Sequence, residues 1–588
     1  MHKNKFALFG ALLLGAVSCA GCSSSKQEKI IIRVLNSADY IYEAEQEGYK
    51  CEECDEYLSE DGYYEDEGTL YCKECDSEIV YDCDMMEQFV RYLENDKYAD
   101  EGLKFDYVYD TFDTPETCYN EMMTGKSNYD IINVSDYMIQ KMITNDLLQP
   151  LFIDGDEHDA KCNEHIHDYL SDYLWGEETS IYNNIHPKKL DYEGADGMYD
   201  ESKVLADYAV PYMWGTVGVM YNPKFYEKKF TPEELQEKFS SWEALYDESL
   251  KGSFSIKDSV RDVYAVSILH VYHDKIVELE KNYDLEKDED LQAFNREMTA
   301  IFNRCDSETL SKISTDMNKL KDNAFGFEVD SGKTDMVSGE KIGANLAWSG
   351  DATWAIYEAQ TENDAEIYFS LPEEGSNIFT DSWAIPKVSN QHQYALDFIE
   401  FMCEPEHAIA NMDAVGYTSS TATEDVLDYV RDYYDVRVAM EEEGLTDAEL
   451  KEMSDEYDIR YFFKDNIDDS LLDDAIIWSW KLDSEETTEE KVNGELIEVP
   501  YAVYGRMLHS QFPEEHQRYK LCMMDDFGKD NQAVIEMWQQ VRTNPLPLWA
   551  IIVLAVQATA VVALIIYLIV DRKRFNKVKA RRTISKQK

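Results

Sequence analysis

"YDIINVSDYMIQKM", residues 129–142, decides the fold. Ile131, Ile132 and Val134 form a short β-rich run, the pattern of a strand buried on both faces. After a turn at Ser135-Asp136, Met138, Ile139 and Met142 recur at helical spacing. The same order of elements repeats on either side. "IIIRVL" (30–35) reads as a strand, "MMEQFVRYL" (85–93) as an amphipathic helix and "LKFDYVYDTF" (103–112) as an alternating strand. Thr114 to Met123 reads as a helix opened by Thr-Pro. Strand, helix, strand, helix at these lengths predicts an α/β domain with a largely parallel sheet and crossover helices. "ADYAVPYMWGTVGVMYN" (206–222) resumes strand character with a glycine break. "SWEALYDESLKGS" (241–253), "IGANLAWSGDATWAIYEA" (342–359) and "IFTDSWAIP" (378–386) continue the alternation.

The ends fix the compartment. Lys3 and Lys5 precede an apolar run from Phe6 to Val17, the layout of an export signal over residues 1–21. An uncleaved anchor is the other reading of that segment. The stretch Cys19-Ala20-Gly21-Cys22 resembles a bacterial lipobox, which implies that Cys22 is lipidated. Leu548 to Val570 holds one amide (Gln557) and no charge, long enough to cross a membrane. A basic tail follows over 571–588, and basic flanks stay cytoplasmic. Everything before Trp549 is therefore expected on the extracellular face of the plasma membrane. A formal charge of −64 repels nucleic acid and attracts cations. Forty-one tyrosines argue against disorder.

"YKCEECDEYL" (49–58) and "LYCKECDSEI" (70–79) carry two Cys-x-x-Cys knuckles, seventeen residues apart. Cys51, Cys54, Cys72 and Cys75 at this spacing fit a zinc ribbon, a four-thiolate metal site. Disulfides between the knuckles and a rubredoxin-like iron are the alternatives. Structural zinc is the expected cofactor, and the insertion spans 49–83. Cys83, Cys118, Cys162, Cys305, Cys403 and Cys522 show no paired spacing and read as buried thiols. His158, His165 and His167 lie among carboxylates in a loop-rich stretch read as solvated surface, with a metal patch as the alternative. Residues 424–503 are highly charged and read as a solvated acidic helical insertion.

Taken in order, "VLNSADYI", "YDIINVSDYMIQKM", "VPYMWGTVGVMYN", "SWEALYDESLKGS", "NLAWSGDA", "DSWAIP" and "VGYTSSTA" resemble the spermidine/putrescine-binding proteins of ABC transporters. The resemblance runs from Ile30 to about Val426 and again from about Tyr519 to Thr543. It implies the two-lobed type II periplasmic-binding-protein fold. Lobe 1 would comprise 28–48, 84–209 and 381–423, and lobe 2 would comprise 210–378 and 504–543. It implies a polyamine or related small organic cation held between the lobes by carboxylates and aromatic faces. Carried over by position, the ligand residues are Asp39, Tyr40, Tyr137, Asp262, Trp348, Phe379, Asp381 and Tyr417. Ser37 and Phe379 stand where the family has tryptophans, Ser259 where it has a second carboxylate, with the neighbouring Asp258 as its candidate stand-in, and Met524 where it has a glutamine. The chain has no phosphate-binding loop and no nucleophile–base pair, so no enzyme activity is expected. ABC permease and ATPase subunits are the implied partners. A sensor or adhesion-type surface protein, using the same fold for another small cation or a protein partner, is the alternative function.

Overall fold

The computed structural model describes residues 29–543, apart from 52–53, 55, 60, 67–68, 127, 154, 177–179, 190–198, 286, 330, 485 and 493–494, together with 553, 556 and 557. The export signal with Cys22, nearly all of the apolar 548–570 segment and the basic tail lie outside the described residues. Among the described residues no helix is long and apolar enough to cross a membrane.

One twisted sheet runs through both lobes. Its main strands are β1 (Ile30–Ser37), β2 (Phe105–Phe112), β3 (Ile131–Ser135), β4 (Ala209–Tyr221), β5 (Phe254–Lys257), β6 (Gly326–Glu328), β7 (Ala344–Trp348) and β8 (Ser376–Ala384). Their spatial order is β6-β5-β7-β4-β8-β3-β1-β2. β1 runs parallel to β2 and β3, and β5 parallel to β6 and β7, as crossover helices require. The two central strands depart from the largely parallel expectation. β4 pairs antiparallel with β8 through residues 209–216 and with β7 through 217–221. One long strand thus starts in the first lobe and ends in the second, and β8 lies beside it at the crossing.

Two apolar cores flank that crossing. The first gathers Ile32, Phe89, Ile132, Trp214, Trp383 and Phe398; the second gathers Val219, Trp242, Phe254, Tyr264, Leu346 and Trp538. Trp348 and Phe379 are half-buried and pack against both. Some expected boundaries shift. Helix Ser349–Asn363 and residues Val503, Leu508 and Phe512 join the first core, so the C-terminal return to lobe 2 comes at Cys522 rather than residue 504.

The 424–503 segment is neither wholly helical nor wholly solvated. It contains helices, an antiparallel pair of strands (Ser454–Asp458 with Ile476–Trp480) and a hairpin (Thr487–Val492 with Glu495–Pro500). Its Val430, Phe462, Phe463 and Ile477 are buried in the first core. Most of its charges are exposed, the buried Asp435 being held by Arg437, and the high average charge hides the apolar residues. Of the three histidines expected on a solvated surface, His165 and His167 are exposed and His158 is half-buried, and two of them pair with carboxylates. His158 Nε2 lies 2.7 Å from Asp397 Oδ1 and His165 Nδ1 lies 2.5 Å from Glu400 Oε1. The Lys97 ammonium bridges both carboxylates at 2.9 and 2.5 Å, tying two helices together.

The insertion at 49–83 forms a three-stranded sheet (Gly48–Cys51, Glu56–Tyr57, Val80–Asp82) and a hairpin (Tyr63–Asp66, Thr69–Cys72). Among the described residues its small apolar cluster is built on the buried Cys51, Cys72 and Ile79.

Trp383 on β8 is fully buried, with its ring 5.0 Å from those of Tyr212 and Phe398. Trp383→Ala should lower stability by about 3–5 kcal/mol through the cavity it leaves. Urea unfolding measures this, and a loss below about 1 kcal/mol would show that the first core can close over the gap.

Candidate functional site: a cleft at the strand crossing

Asp381 stands at the crossing because β8 slips its register against β4 between Asp381 and Ser382. Such a bulge re-aims a side chain that regular pairing would hold in place. The Asp381 carboxylate accepts hydrogen bonds from the Tyr40 hydroxyl (2.9 Å) and the Ser135 hydroxyl (2.5 Å), residues at the ends of the first-lobe strands. Tyr40 in turn packs edge-on against Tyr212 and Tyr417, with ring centroids 5.8 and 5.5 Å away. Tyr417 lies flat against Gly350, where a Cβ would fall 2.2 Å from its ring. Only glycine leaves room for the aromatic wall there. Phe379 completes the wall, 6.4 Å from Tyr417.

The second lobe contributes Asp262 from the first turn of helix Val260–Val271. Ser259 caps that helix, accepting from the Asp262 amide at 3.5 Å. Burial pushes the Asp262 acid up, while the Ser259 hydroxyl and the Trp348 indole favour its charged form. Asp381 is also pushed up, first by burial; its two hydroxyl donors oppose this and the charge of Asp262 adds to it. Among the described residues neither carboxylate has a cation paired to it. Asp136, next to Ser135, is held up to about 8, chiefly by burial, against the opposing Thr380 N–H that donates to it at 3.0 Å.

The structure therefore gathers Tyr40, Asp262, Trp348, Phe379, Asp381 and Tyr417 between the lobes. Tyr137 sits beside them with its hydroxyl donating to Glu116 at 3.3 Å. Asp39 does not join them: it is exposed on the turn after β1, at a φ of 53°. Asp258 does not stand in for the carboxylate missing at Ser259, because it is paired with Arg542 at 2.5 Å.

Four residues of the cleft went unread in the sequence. Ser135 ends β3 and Asp136 opens the next helix in "NVSDY", and a small hydroxyl beside an acid at a strand end was the available signal. The others are basic. Lys257, 1% exposed, holds its ammonium 3.2 Å from Glu328, 3.1 Å from Asp351 and 4.0 Å from the centre of the Trp348 ring. The Arg261 guanidinium lies 4.2 Å from the Tyr137 ring and 4.2 Å from the Phe527 ring. It donates to the Asp525 carbonyl at 2.6 Å and to Asn531 at 3.4 Å.

Away from the cleft, the four knuckle cysteines converge. Their sulfurs all lie within 4.8 Å of one another. Cys51 and Cys75 are 3.4 Å apart, and Cys54 and Cys72 3.8 Å. A disulfide needs about 2.05 Å, whereas a tetrahedral zinc with bonds of about 2.3 Å spaces its sulfurs at about 3.8 Å. The donor set fits a metal.

The protonation of Asp136 has a measurable sign. Between the unfolded value near 4 and the folded value of about 8, the folded chain keeps a proton that the unfolded chain has released. The stability this gives is complete below the unfolded value and falls as pH rises through that window. From pH 5.5 to 7.5 the wild type should lose roughly 1–2 kcal/mol more in urea unfolding than Asp136→Asn. Identical pH profiles would contradict a buried neutral acid.

A family model described as "Bacterial extracellular solute-binding protein" matches residues 98–435. The spermidine/putrescine-binding periplasmic protein of Salmonella typhimurium is 22% identical over 334 residues, covering 57% of this chain and 72% of the relative. The putrescine/agmatine-binding protein of Pseudomonas aeruginosa is 24% identical over 318 residues, covering 53% of this chain and 70% of the relative. Among solved structures, the TpPotD lipoprotein of Treponema pallidum is similar at 14% identity with a TM-score of 0.46, covering 87% of this chain and 99% of that one. The matched span takes in both lobes and most of the cleft residues, and the chain belongs to the bacterial extracellular solute-binding protein family.

Proposed function

We propose that the chain is the membrane-tethered receptor of an ABC importer and takes a small organic ammonium ligand, of the polyamine class or related to it, at Asp381. The observation that carries this reading is the carboxylate pair. Asp262 and Asp381 come from opposite lobes, lie close enough for one to raise the other's acid, and have no cation of their own among the described residues. An ammonium between them would donate charge-assisted hydrogen bonds to both lobes at once. Tyr40, Phe379 and Tyr417 would cover its apolar part and attract its charge. The names of the relatives, which bind spermidine, putrescine and agmatine, support the same ligand class.

Delivery follows from the tethers. A lipid at Cys22 and a helix at 548–570 would hold the cleft at the outer membrane surface, beside a permease coupled to an ATPase. Titration calorimetry of the full-length chain against spermidine, putrescine, butylammonium and an amino-acid control tests the reading. At least one amine should bind in the micromolar range, and Asp381→Asn should weaken it by about 30-fold or more, the usual effect of removing one partner of a buried charged contact. Absence of heat with every amine would remove the cation reading.

The knuckle cysteines are proposed to hold one structural zinc. A unit with so small a buried core needs a staple to fold. The protein should carry about one zinc per chain, lost in Cys51→Ser. Removal should expose 49–83 to protease while leaving amine binding unchanged, since the described lobes close without that insertion. A chelated, metal-free protein with the 49–83 segment still protected would contradict a structural role.

A further inference from the structure

Two of the aromatic faces that could receive a ligand cation already carry one from the chain. The Lys257 ammonium lies 4.0 Å from the Trp348 ring centre, and the Arg261 guanidinium 4.2 Å from that of Tyr137. Both distances are well inside the roughly 6 Å over which a ring attracts a cation. On the basis of the cation-binding reading above, we propose that Lys257 and Arg261 act as built-in competitors. They fill the second and third cation places of the cleft and restrict it to a ligand with a single ammonium group on an apolar body.

The charge balance supports this. Lys257 is fixed from three sides, by Glu328, by Asp351 and by the Val329 carbonyl at 3.0 Å. Lys333 pairs with the other oxygen of Asp351 at 3.2 Å. Two ammoniums and two carboxylates cancel, so this corner offers a second ligand charge no net attraction while one face of Trp348 stays covered. Arg261 is 9% exposed, and the oxygens it donates to are a carbonyl and an amide. Its positive charge, one residue from Asp262, is not cancelled by an ion pair among the described residues. It therefore repels a second ammonium close to the site where the first is held. Asp258, just before this helix, is engaged by Arg542, and Asp525 accepts from the Tyr199 hydroxyl. The unpaired capacity of the cleft is the Asp262–Asp381 pair, enclosed by Tyr40, Phe379 and Tyr417.

Butylammonium and 1,4-diaminobutane share a four-carbon body and differ by one ammonium, so their ratio reads the inference directly. Calorimetry on the full-length protein should show butylammonium binding at least about tenfold more tightly than the diamine. Two variants should each move that ratio toward the diamine by about tenfold: Arg261→Gln, and Lys257→Met combined with Glu328→Gln, which removes one charge of each sign. Circular dichroism confirms that each is folded, and the wild-type ratio stands as a test without them. A wild type that prefers the diamine, or a ratio unchanged in both folded variants, overturns the competitor role and leaves the receptor reading intact. Silence from both amines overturns this inference, and silence from spermidine as well overturns the receptor reading.

Discussion

Asp262 and Asp381 are buried acids from opposite lobes, near enough for the charge of Asp262 to raise Asp381, and the proposed cleft is organised around that pair. Each acid is raised by burial, and Asp381 is raised further by its partner. Two such groups on one rigid core would be a simple liability. Here one hangs from β8 in the first lobe and the other from a helix of the second, so their repulsion acts across the crossing strands. In the proposed reading, a cation between them would reverse the sign of the interaction and draw the lobes together, with no bond made or broken.

Such a device depends on how the other buried charges near it are settled; among the described residues most are paired or neutral, and Arg261, held by a carbonyl and an amide oxygen, is the exception. Lys257, Glu328, Asp351 and Lys333 form a neutral group behind Trp348. Asp136 is kept as a neutral acid by burial. Lys97 satisfies Asp397 and Glu400 between two helices of the first lobe. Against a surface carrying most of a −64 formal charge, these interior groups leave the Asp262–Asp381 pair as the place where a small cation gains most. The 49–83 insertion stands apart from this circuit. It hangs from the first lobe by contacts such as Tyr42 to Asp82, at 2.6 Å.

Much of this was legible in the sequence, and the exceptions have physical causes. The buried run at 131–134 and the helix after it read correctly because hydrophobic periodicity is local. Asp381, Tyr40, Trp348 and Tyr417 were placed together by their motifs at strand ends. Asp39 was not, because adjacent residues on a turn point in different directions, and Asp39 points to water while Tyr40 points inward. The strand "SDEYD" at 454–458 has no strand-like composition; its partner at 476–480 makes it a strand. Lys257 and Arg261 escaped notice because a cation above an aromatic ring depends on residues far apart in the chain, with Trp348 ninety-one positions from Lys257. Charge density also misled at 424–503, where apolar residues buried in the first core are spaced among acidic ones.

The most direct test is a crystal structure of the full-length protein grown with butylammonium. The ligand nitrogen should lie within about 3 Å of Asp381, with Asp262 on its other side and the Lys257 ammonium still over Trp348. A ligand seated on Trp348 with Lys257 displaced, or bound away from the strand crossing, would contradict the carboxylate pair as the centre of recognition.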